Sequence, residues 1–498
     1  MLKNSQIENN FAGQMTLPMT MKHALASLTF HLTDSADPYY LQLIDQVKDG
    51  IRQRRLKSGD KLPSSRQLAT TLGVSRSTVT RAYDALLAEG FLISEAKRGL
   101  FVAASARVLL NPAPRVHSVA PVKSPPMLTC DSGADVAAFP ARDWAASMRR
   151  SWLKPDLNVL EGAYSGGYPP LKAAIADYLY RVRGVSCTEE QVFVTSGNRD
   201  ALSILQHTLD AQTTDAHWLL ENPCYKPMRA LLSNRASGLG TLNVDAEGAP
   251  LPLRKDTPQV AIITPNRQYP LGIGMSPARR QGWLQALQQH PSLWLIEDDY
   301  DNEYHFQGRL GVPLMQADTQ GRSFLVGSFS KVLFRGLRLG FVVVPPGQIE
   351  RFRASQQALG ASASLPIQPV LTDFMRHGRF DRHLNRMRRL YRLKRDRLLA
   401  LLAEQLTPWL TWQAPQGGMH IRVMLTHAWL AARKPARWDR RIASDLLEQN
   451  IRLEVLSDHY LDPDMGEQGF LLGFSNPDEA TMEQVVRALA DWFERQSG

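Results

Sequence analysis

Cysteine is scarce in these 498 residues: Cys130, Cys187 and Cys224 stand far apart and form no CxxC pair. That excludes a disulfide-stapled scaffold and a cysteine-based zinc site, and a reducing cytoplasm is the expected compartment. No stretch reaches the roughly 18 apolar residues of a membrane span. Residues 1 to about 25 carry Lys3, Glu8 and several amides where a signal peptide needs a continuous apolar core. Neither a membrane association nor a metal site is expected. Charge is not overwhelmingly of one sign: 58 Lys and Arg against 48 Asp and Glu leave a net +10, which suits a polyanion partner without requiring one. No internal repeat is visible, and the length calls for two or three domains.

Residues 1–37 are expected to form an arm, disordered in part, and residues 38–103 a separate small module. Tyr39 to Ile51 repeat apolar residues at helical spacing. Gly59-Asp60 makes a turn, Ser64 or Ser65 caps a second helix carrying Leu68 and Leu72, and Gly73 ends it. Ser75 caps a third helix whose buried stripe is Val79, Tyr83, Leu86 and Leu87. Phe91-Leu92-Ile93 and Leu100-Phe101-Val102 flank a charged tip from Glu95 to Gly99, the pattern of a two-stranded wing. A helix entering the DNA major groove needs short polar or basic residues at its N-terminus, and Ser75, Arg76, Ser77, Thr78 and Thr80 meet that need. Arg66 at the start of the second helix suits a base or the backbone, and Arg98 and Gly99 at the wing tip suit the adjacent groove. Residues 38–103 hold eleven Lys or Arg against six Asp or Glu, so about half of the net charge of the chain is concentrated in this module.

Residues 104–126 contain Pro112, Pro114, Pro121, Pro125 and Pro126 without helical or strand periodicity, and are expected to be a linker. Residues 127–498 alternate helical stretches with short apolar runs such as Val192–Thr195, Val260–Ile263, Leu293–Ile296 and Phe341–Val344, which predicts a mostly parallel sheet buried on both faces. Trp412, Ile421–Val423 and Leu471–Phe474 predict a smaller α/β subdomain at the end.

The chemistry of this part lies in two segments. Glu297-Asp298-Asp299-Tyr300-Asp301 follows a predicted strand, and Gly327-Ser328-Phe329-Ser330-Lys331 follows another. Open α/β sheets bind ligands at that edge. Alternation along an extended chain puts Asp298 and Tyr300 on one face. An amine that condenses with an aldehyde, a carboxylate that holds a pyridine nitrogen protonated and a phenol for the phenolic oxygen are what pyridoxal 5'-phosphate (PLP) requires. Its phosphate needs donors. Gly197, Asn198 and Arg199 open a helix whose N-terminal amides face an anion, and Ser328, Ser330 and Arg338 are further candidates. Tyr225 is placed to stack on the cofactor ring.

LPSSR at 62–66 and LGVSRSTV at 72–79 resemble the GntR-type winged helix over some sixty residues. VTSGNRDAL near 194–202, TPNRQYPLG at 264–272, EDDYDNEY at 297–304, GSFSKVLFRGLRLGF at 327–341 and GGMH at 417–420 resemble the fold-type I aminotransferases over about residues 130–490. The whole chain is identified as a member of the MocR-type subfamily of GntR transcriptional regulators. The resemblance implies an N-terminal winged helix-turn-helix fused to a fold-type I aminotransferase-like domain, with a large, mostly parallel α/β/α sheet and a small α/β subdomain. It implies PLP on Lys331 as a Schiff base, with Tyr269 beside the phenolic oxygen. It further implies a double-stranded DNA operator, an effector that is PLP or its aldimine with an amine or amino acid, and a homodimer.

The chain departs from the pattern in several places. Leu471 stands where aminotransferases place the arginine that clamps a substrate carboxylate, and Arg422 is the nearest substitute. Arg267 stands where these regulators more often carry histidine, Tyr269 where true aminotransferases carry asparagine, and Leu100 where the wing usually carries threonine. Tyr164 lies two residues later than the family's tyrosine, so a cross-subunit phosphate contact is not expected of it. These departures favour a sensor over the other reading of the same residues, a working aminotransferase with an accessory DNA-binding module. The arginine-dense stretch from Arg382 to Arg397 repeats Leu384, Met387, Leu390, Tyr391 and Leu393, and is expected to be an amphipathic helix, not a second DNA patch.

Overall fold

The structure is a computed structural model, described here for residues 30–33, 37–106, 127–213, 215–233, 239–251, 257–301, 303–307, 311–434 and 436–496. The expected disordered arm falls almost wholly outside these residues, and so does the expected linker from residue 107 onward. The chain divides into two compact units, Met1–Lys123 and Ser124–Gly498. Among the described residues no helix is long and apolar enough to cross a membrane.

The first unit has three helices, α1 (Tyr39–Arg52), α2 (Ser65–Leu72) and α3 (Arg76–Ala88), followed by the antiparallel wing strands β1 (Leu92–Glu95) and β2 (Gly99–Val102). Each short helix starts on a serine cap that satisfies an otherwise unbonded amide. Ser64 Oγ accepts from Gln67 N at 3.2 Å and Ser75 Oγ from Thr78 N at 3.2 Å. Leu43, Val47 and Ile51 of α1 meet Leu68 of α2, Val79, Ala82 and Leu86 of α3 and Val102 of the wing in one buried core. This packed unit reaches beyond both expected boundaries. Ala106 is buried in it, and Phe30 and Leu32 pack against it. The segment around them is held by a side-chain ladder. Gln46 pairs its Oε1 with His31 N (2.8 Å) and its Nε2 with His31 O (2.6 Å). Gln42, one turn earlier, does the same with Thr33 N (3.0 Å) and Thr33 O (2.9 Å). Two amides at i and i+4 thus read alternate residues of an extended chain, as a neighbouring strand would.

The second unit is built on a seven-stranded sheet. Its strands are β3 (Val192–Thr195), β4 (His217–Asn222), β5 (Leu239–Asn243), β6 (Gln259–Ile263), β7 (Leu293–Asp299), β8 (Ser323–Ser328) and β9 (Gly340–Val343), in the order β3-β9-β8-β7-β6-β4-β5. The predicted apolar runs are these strands, and the sheet is mostly parallel. The exception is the run at Phe341, which became β9, antiparallel to both β8 and β3. A run buried on both faces has the same composition in either direction, so the sequence does not encode that reversal. Helices cover the sheet, among them α4 (Pro169–Arg183) and α5 (Asn198–Asp210). The predicted smaller subdomain is a four-stranded antiparallel sheet of β10 (Leu410–Trp412), β11 (His420–Leu425), β12 (Glu454–Val455) and β13 (Gly469–Gly473), in the order β10-β11-β13-β12.

The arginine-dense stretch lies in one helix, α6 (Arg379–Gln405), with Leu384, Met387 and Tyr391 buried. Leu393 is exposed, a correction to the expected stripe: it follows Tyr391 by two residues, about 200° around the helix. Several of its cations are structural staples. Arg388 Nε donates to Glu303 O (2.7 Å), Arg392 to Phe306 O (3.0 Å), and Lys394 pairs with Asp135 (2.6 Å).

Candidate ligand pocket and nucleic-acid interface

The strand register brings three loop starts to one sheet edge. Asp299 on β7 is opposite Gly327 on β8, Ser328 is opposite Gly340 on β9, and Gly340 is opposite Thr195 on β3. The chain therefore leaves the sheet at neighbouring points toward Tyr300, toward Lys331 and into α5. The packing here leaves no room for side chains at two positions. A Cβ on Gly327 would collide with the Phe341 ring, and one on Gly340 would lie 2.8 Å from Gly327 O and 3.0 Å from Gly197 Cα. Gly197 itself has φ +103°, a backbone conformation L side chains rarely adopt, and it caps α5.

Three aspartates of the acidic segment have different partners. Asp299 forms a buried two-pronged pair with Arg183, 2.8 Å to each oxygen. Asp301 lies 3.3 Å from the Arg267 guanidinium, both side chains being buried. Asp298 has only an amide: Asn198 Nδ2 donates to its Oδ1 at 2.8 Å. Burial, followed by the fields of Asp299, Glu221 and Asp301, pushes the Asp298 carboxyl up to about 8 from 3.8. Sequence reasoning put Asn198 at the phosphate. The structure has its side chain holding the acid, a contact across 100 residues that no local signal announces.

Lys331 Nζ donates to Ser132 O at 2.8 Å and lies 3.4 Å from Ser132 Oγ. Burial lowers the pKa of its amine, and Asp301 opposes that shift. Ser132 was missed by sequence reasoning, because it comes from a segment 199 residues away with no motif of its own. The Tyr300 hydroxyl is buried with no hydrogen-bond partner among the described residues, and its ring meets Tyr269 edge-on at 5.7 Å. Tyr269 is the hub of an aromatic box with Tyr225 (5.7 Å), His420 (5.5 Å) and His459 (5.3 Å). Tyr225 is half exposed, and Asp298, Arg335 and Arg338 all act on its hydroxyl, which places it over the same edge. Burial drives His420 down to about 4, so it is neutral, and its Nε2 donates to Pro270 O at 3.0 Å.

The remaining anion donors surround Gly197. The Arg338 guanidinium would come within 3.9 Å of a Cβ placed there, and Arg338 has no acidic partner among the described residues. The first amides of α5 have no acceptor within the helix, although Ser196 N is taken by Asp200 (2.8 Å). Ser328 Oγ accepts from Ser330 N at 3.2 Å. Arg199 is exposed in the first turn of α5. Arg422 is not free to serve as a carboxylate clamp, since it pairs with Glu467 at 3.3 Å. Leu471 is buried in an apolar group with Leu271 and Leu456. Tyr164 is tied up in its own loop, donating to Asp156 (3.1 Å) and accepting from Asn158 (3.2 Å). Among the described residues no group of three His, Cys, Asp or Glu could hold a metal ion.

On the first unit, Arg66, Ser75, Arg76, Ser77, Thr80, Arg98 and Gly99 are exposed, and Thr78 is half buried. The Ser75 hydroxyl is committed locally, to Thr78 N and to the Ser77 and Thr78 hydroxyls (2.8 Å each). Arg76 Nε reaches Ser65 Oγ at 3.4 Å, and Arg98 pairs with Glu95 at the wing tip.

A family model described as bacterial regulatory proteins, gntR family, matches residues 39–102. The chain is 34% identical to the probable rhizopine catabolism regulatory protein MocR of Rhizobium meliloti, covering 92% of this chain and 94% of that one. The chain belongs to the MocR-type subfamily of GntR transcriptional regulators. This MocR-type regulator is also 31% identical to the pyridoxine biosynthesis transcriptional regulator PdxR of Corynebacterium glutamicum, over 90% of this chain and 95% of that one. Its second unit has the fold of the kynurenine aminotransferase of Pyrococcus horikoshii, with a TM-score of 0.64 at 20% identity over 74% of this chain and 91% of that one. The α-aminoadipate aminotransferase LysN of Thermus thermophilus gives 0.63 at 23%, over 74% and 92%. The fold-type I architecture expected from the sequence is therefore the observed one.

Proposed function

We propose that this regulator binds PLP in its second unit and reports occupancy of that pocket through operator binding by its first unit. The observation that carries the reading is the set of unmet needs at one sheet edge. Among the described residues a buried carboxylate, Asp298, has no cation; a buried hydroxyl, Tyr300, has no partner; the amine of Lys331 has only Ser132; and a guanidinium, Arg338, stands beside a helix N-terminus. A pyridine nitrogen, a phenolic oxygen, an aldehyde and a phosphate meet these four needs in turn, so the residues fit the cofactor. When bound, PLP supplies an aldehyde that condenses with primary amines. Lys331 would hold the group covalently, and its lowered pKa would favour the unprotonated amine that the bond requires. Asp298 and Asn198 fix the pyridine end, and Tyr225 and Tyr269 bound the ring. Gly197, Asn198, Arg199, Ser328, Ser330 and Arg338 hold the phosphate through backbone amides, hydroxyls and charge.

Arg66, Ser75, Arg76, Ser77, Thr78, Thr80, Arg98 and Gly99 form the operator-facing surface, with α3 in the major groove and the wing beside it. Winged helices of this kind commonly read paired half-sites, so a homodimer is the assembly this reading expects. A cytoplasmic location agrees with the sparse cysteines. A ligand alters operator binding only by the difference in its affinity for the DNA-bound and free forms. In the test, full-length protein is mixed with PLP, its visible absorbance is recorded, and its binding to DNA upstream of its own gene is measured with and without the cofactor. The reading expects a cofactor band that Lys331→Ala loses, together with a PLP-dependent change in operator affinity. An identical band in Lys331→Ala would refute the site.

A further inference from the structure

Among the described residues the second unit offers free positive charge for one anion at this pocket and not for two. Arg338 and Arg199 have no acidic partner among the described residues and lie at the N-terminal end of α5, where they match the charge of a phosphate. Among the described residues the other guanidiniums flanking the pocket are engaged within the chain: Arg267 with Asp301 (3.3 Å), Arg335 with Asp131 (2.6 Å) and Arg422 with Glu467 (3.3 Å), while Arg229 donates to the carbonyls of Tyr460 and Asp458. Glu467 is held in addition by the Tyr460 hydroxyl at 3.1 Å. Opposite Arg422 in the β11–β13 register stands Leu471, buried with Leu271 and Leu456, against which Tyr269 and Tyr460 pack. His420 shares a face of β11 with Arg422, so this apolar wall lies beside the aromatic box.

Resting on the PLP reading above, we infer that the effector entering this pocket beside the cofactor is a primary amine without a carboxylate next to its nitrogen, and that Leu471 and the Arg422–Glu467 pair set this selectivity. An α-amino acid would bring its carboxylate, a second anion after the phosphate, to an apolar wall with no free cation among the described residues, and a desolvated unpaired charge is strongly disfavoured. An uncharged amine body meets Leu471, Leu271 and Tyr269 at no such cost. The amine nitrogen would replace Lys331 Nζ on the aldehyde carbon: one C=N bond would form as the other breaks, the two protons of the incoming amine would pass to Nζ, and Lys331 would leave as the free amine.

The experiment uses full-length protein loaded with PLP and matched pairs of ligands: isobutylamine against L-valine, and phenethylamine against L-phenylalanine. The shift of the cofactor absorbance is followed, with calorimetric titration as an independent measure of binding. Each amine should act at a concentration at least about 30-fold below that of its amino acid, the scale expected for leaving one buried charge unpaired. Glu467→Gln, a change at a half-exposed position, frees Arg422 and should shrink that gap about tenfold. Amino acids acting as well as the amines would overturn the inference, as would amines that leave the bound cofactor untouched. A gap unchanged in Glu467→Gln would remove Arg422 from it. Absence of any cofactor band in the wild type would instead refute PLP binding itself, so the two failures are told apart.

Discussion

Asp298 is held at a cost that can be measured without any cofactor. Its carboxyl titrates at about 8 in the folded protein against 3.8 when unperturbed. The folded state therefore binds one more proton than the unfolded state between those values, and stability falls as pH rises through that window. At about 1.4 kcal/mol per pH unit, moving from about pH 5.5 to about pH 7.5 costs on the order of 3 kcal/mol from this group alone. Asparagine at 298 carries no charge to lose and keeps an oxygen for the Asn198 amide. For a unit of about 375 residues, Ser124–Gly498, an unfolding entropy near 2.1 cal/mol/K per residue converts this difference into about 3 °C of Tm. In calorimetry of the cofactor-free full chain, the Tm of Asp298→Asn should exceed that of the wild type by a margin that widens by about 3 °C over this pH interval. Glu221, Glu297 and Glu303, raised to about 7 by burial, and Asp301, raised to about 6, titrate in both proteins, so most of their contribution drops out of the comparison. The same variant should bind PLP about 10- to 100-fold more weakly, the value of a hydrogen bond to a charged partner. A margin that does not change with pH, or a variant less stable than the wild type at every pH, would show that Asp298 is an ordinary structural acid.

Arg338→Ala should weaken PLP binding by about 10- to 100-fold and abolish stabilisation by inorganic phosphate in thermal shift, whereas an unchanged phosphate response would detach Arg338 from the cradle. Arg66→Ala and Arg76→Ala should each weaken operator binding across sequences and reduce the slope of log affinity against log salt by about 1, read from filter binding at several salt concentrations. Ser75→Ala removes the cap of α3 and should destabilise the first unit by about 1 kcal/mol in chemical denaturation.

Much of the pocket was legible because its parts follow strands. Asp298 and Tyr300 stand at the end of the β7 run and Lys331 just beyond the β8 run, so alternation and the edge rule were enough to bring them together. What stayed hidden involves partners distant in sequence or features without a period. Ser132 reaches Lys331 across 199 residues, and Asn198 reaches Asp298 across 100. The antiparallel course of β9 is invisible because a Val-rich buried strand has the same composition whichever way it runs. The hold on His31 and Thr33 depends on two glutamine side chains, and glutamines on a surface helix read as solvated. The α6 helix was recognisable from its period, but not the carbonyls and carboxylates its arginines staple.

Within four residues the chain solves the same electrostatic problem in two ways. Asp299 and Asp301 are each given a guanidinium, from Arg183 and Arg267, at the expense of burying two more charges. Asp298, just as deeply buried and next in line to them, is given a carboxamide. Were this segment only a strand terminus, asparagine at 298 would satisfy Asn198 without raising any pKa, and folding would gain at neutral pH. An acid that a neutral residue could replace to the benefit of stability marks a place where the local structure disagrees with itself, and such disagreements gather at sites that bind or react. The sign of the missing charge is positive and its place is the sheet edge beside Tyr300 and Lys331. On the proposed reading, a cation brought by a ligand, not one supplied by the fold, is the charge for which Asp298 is kept.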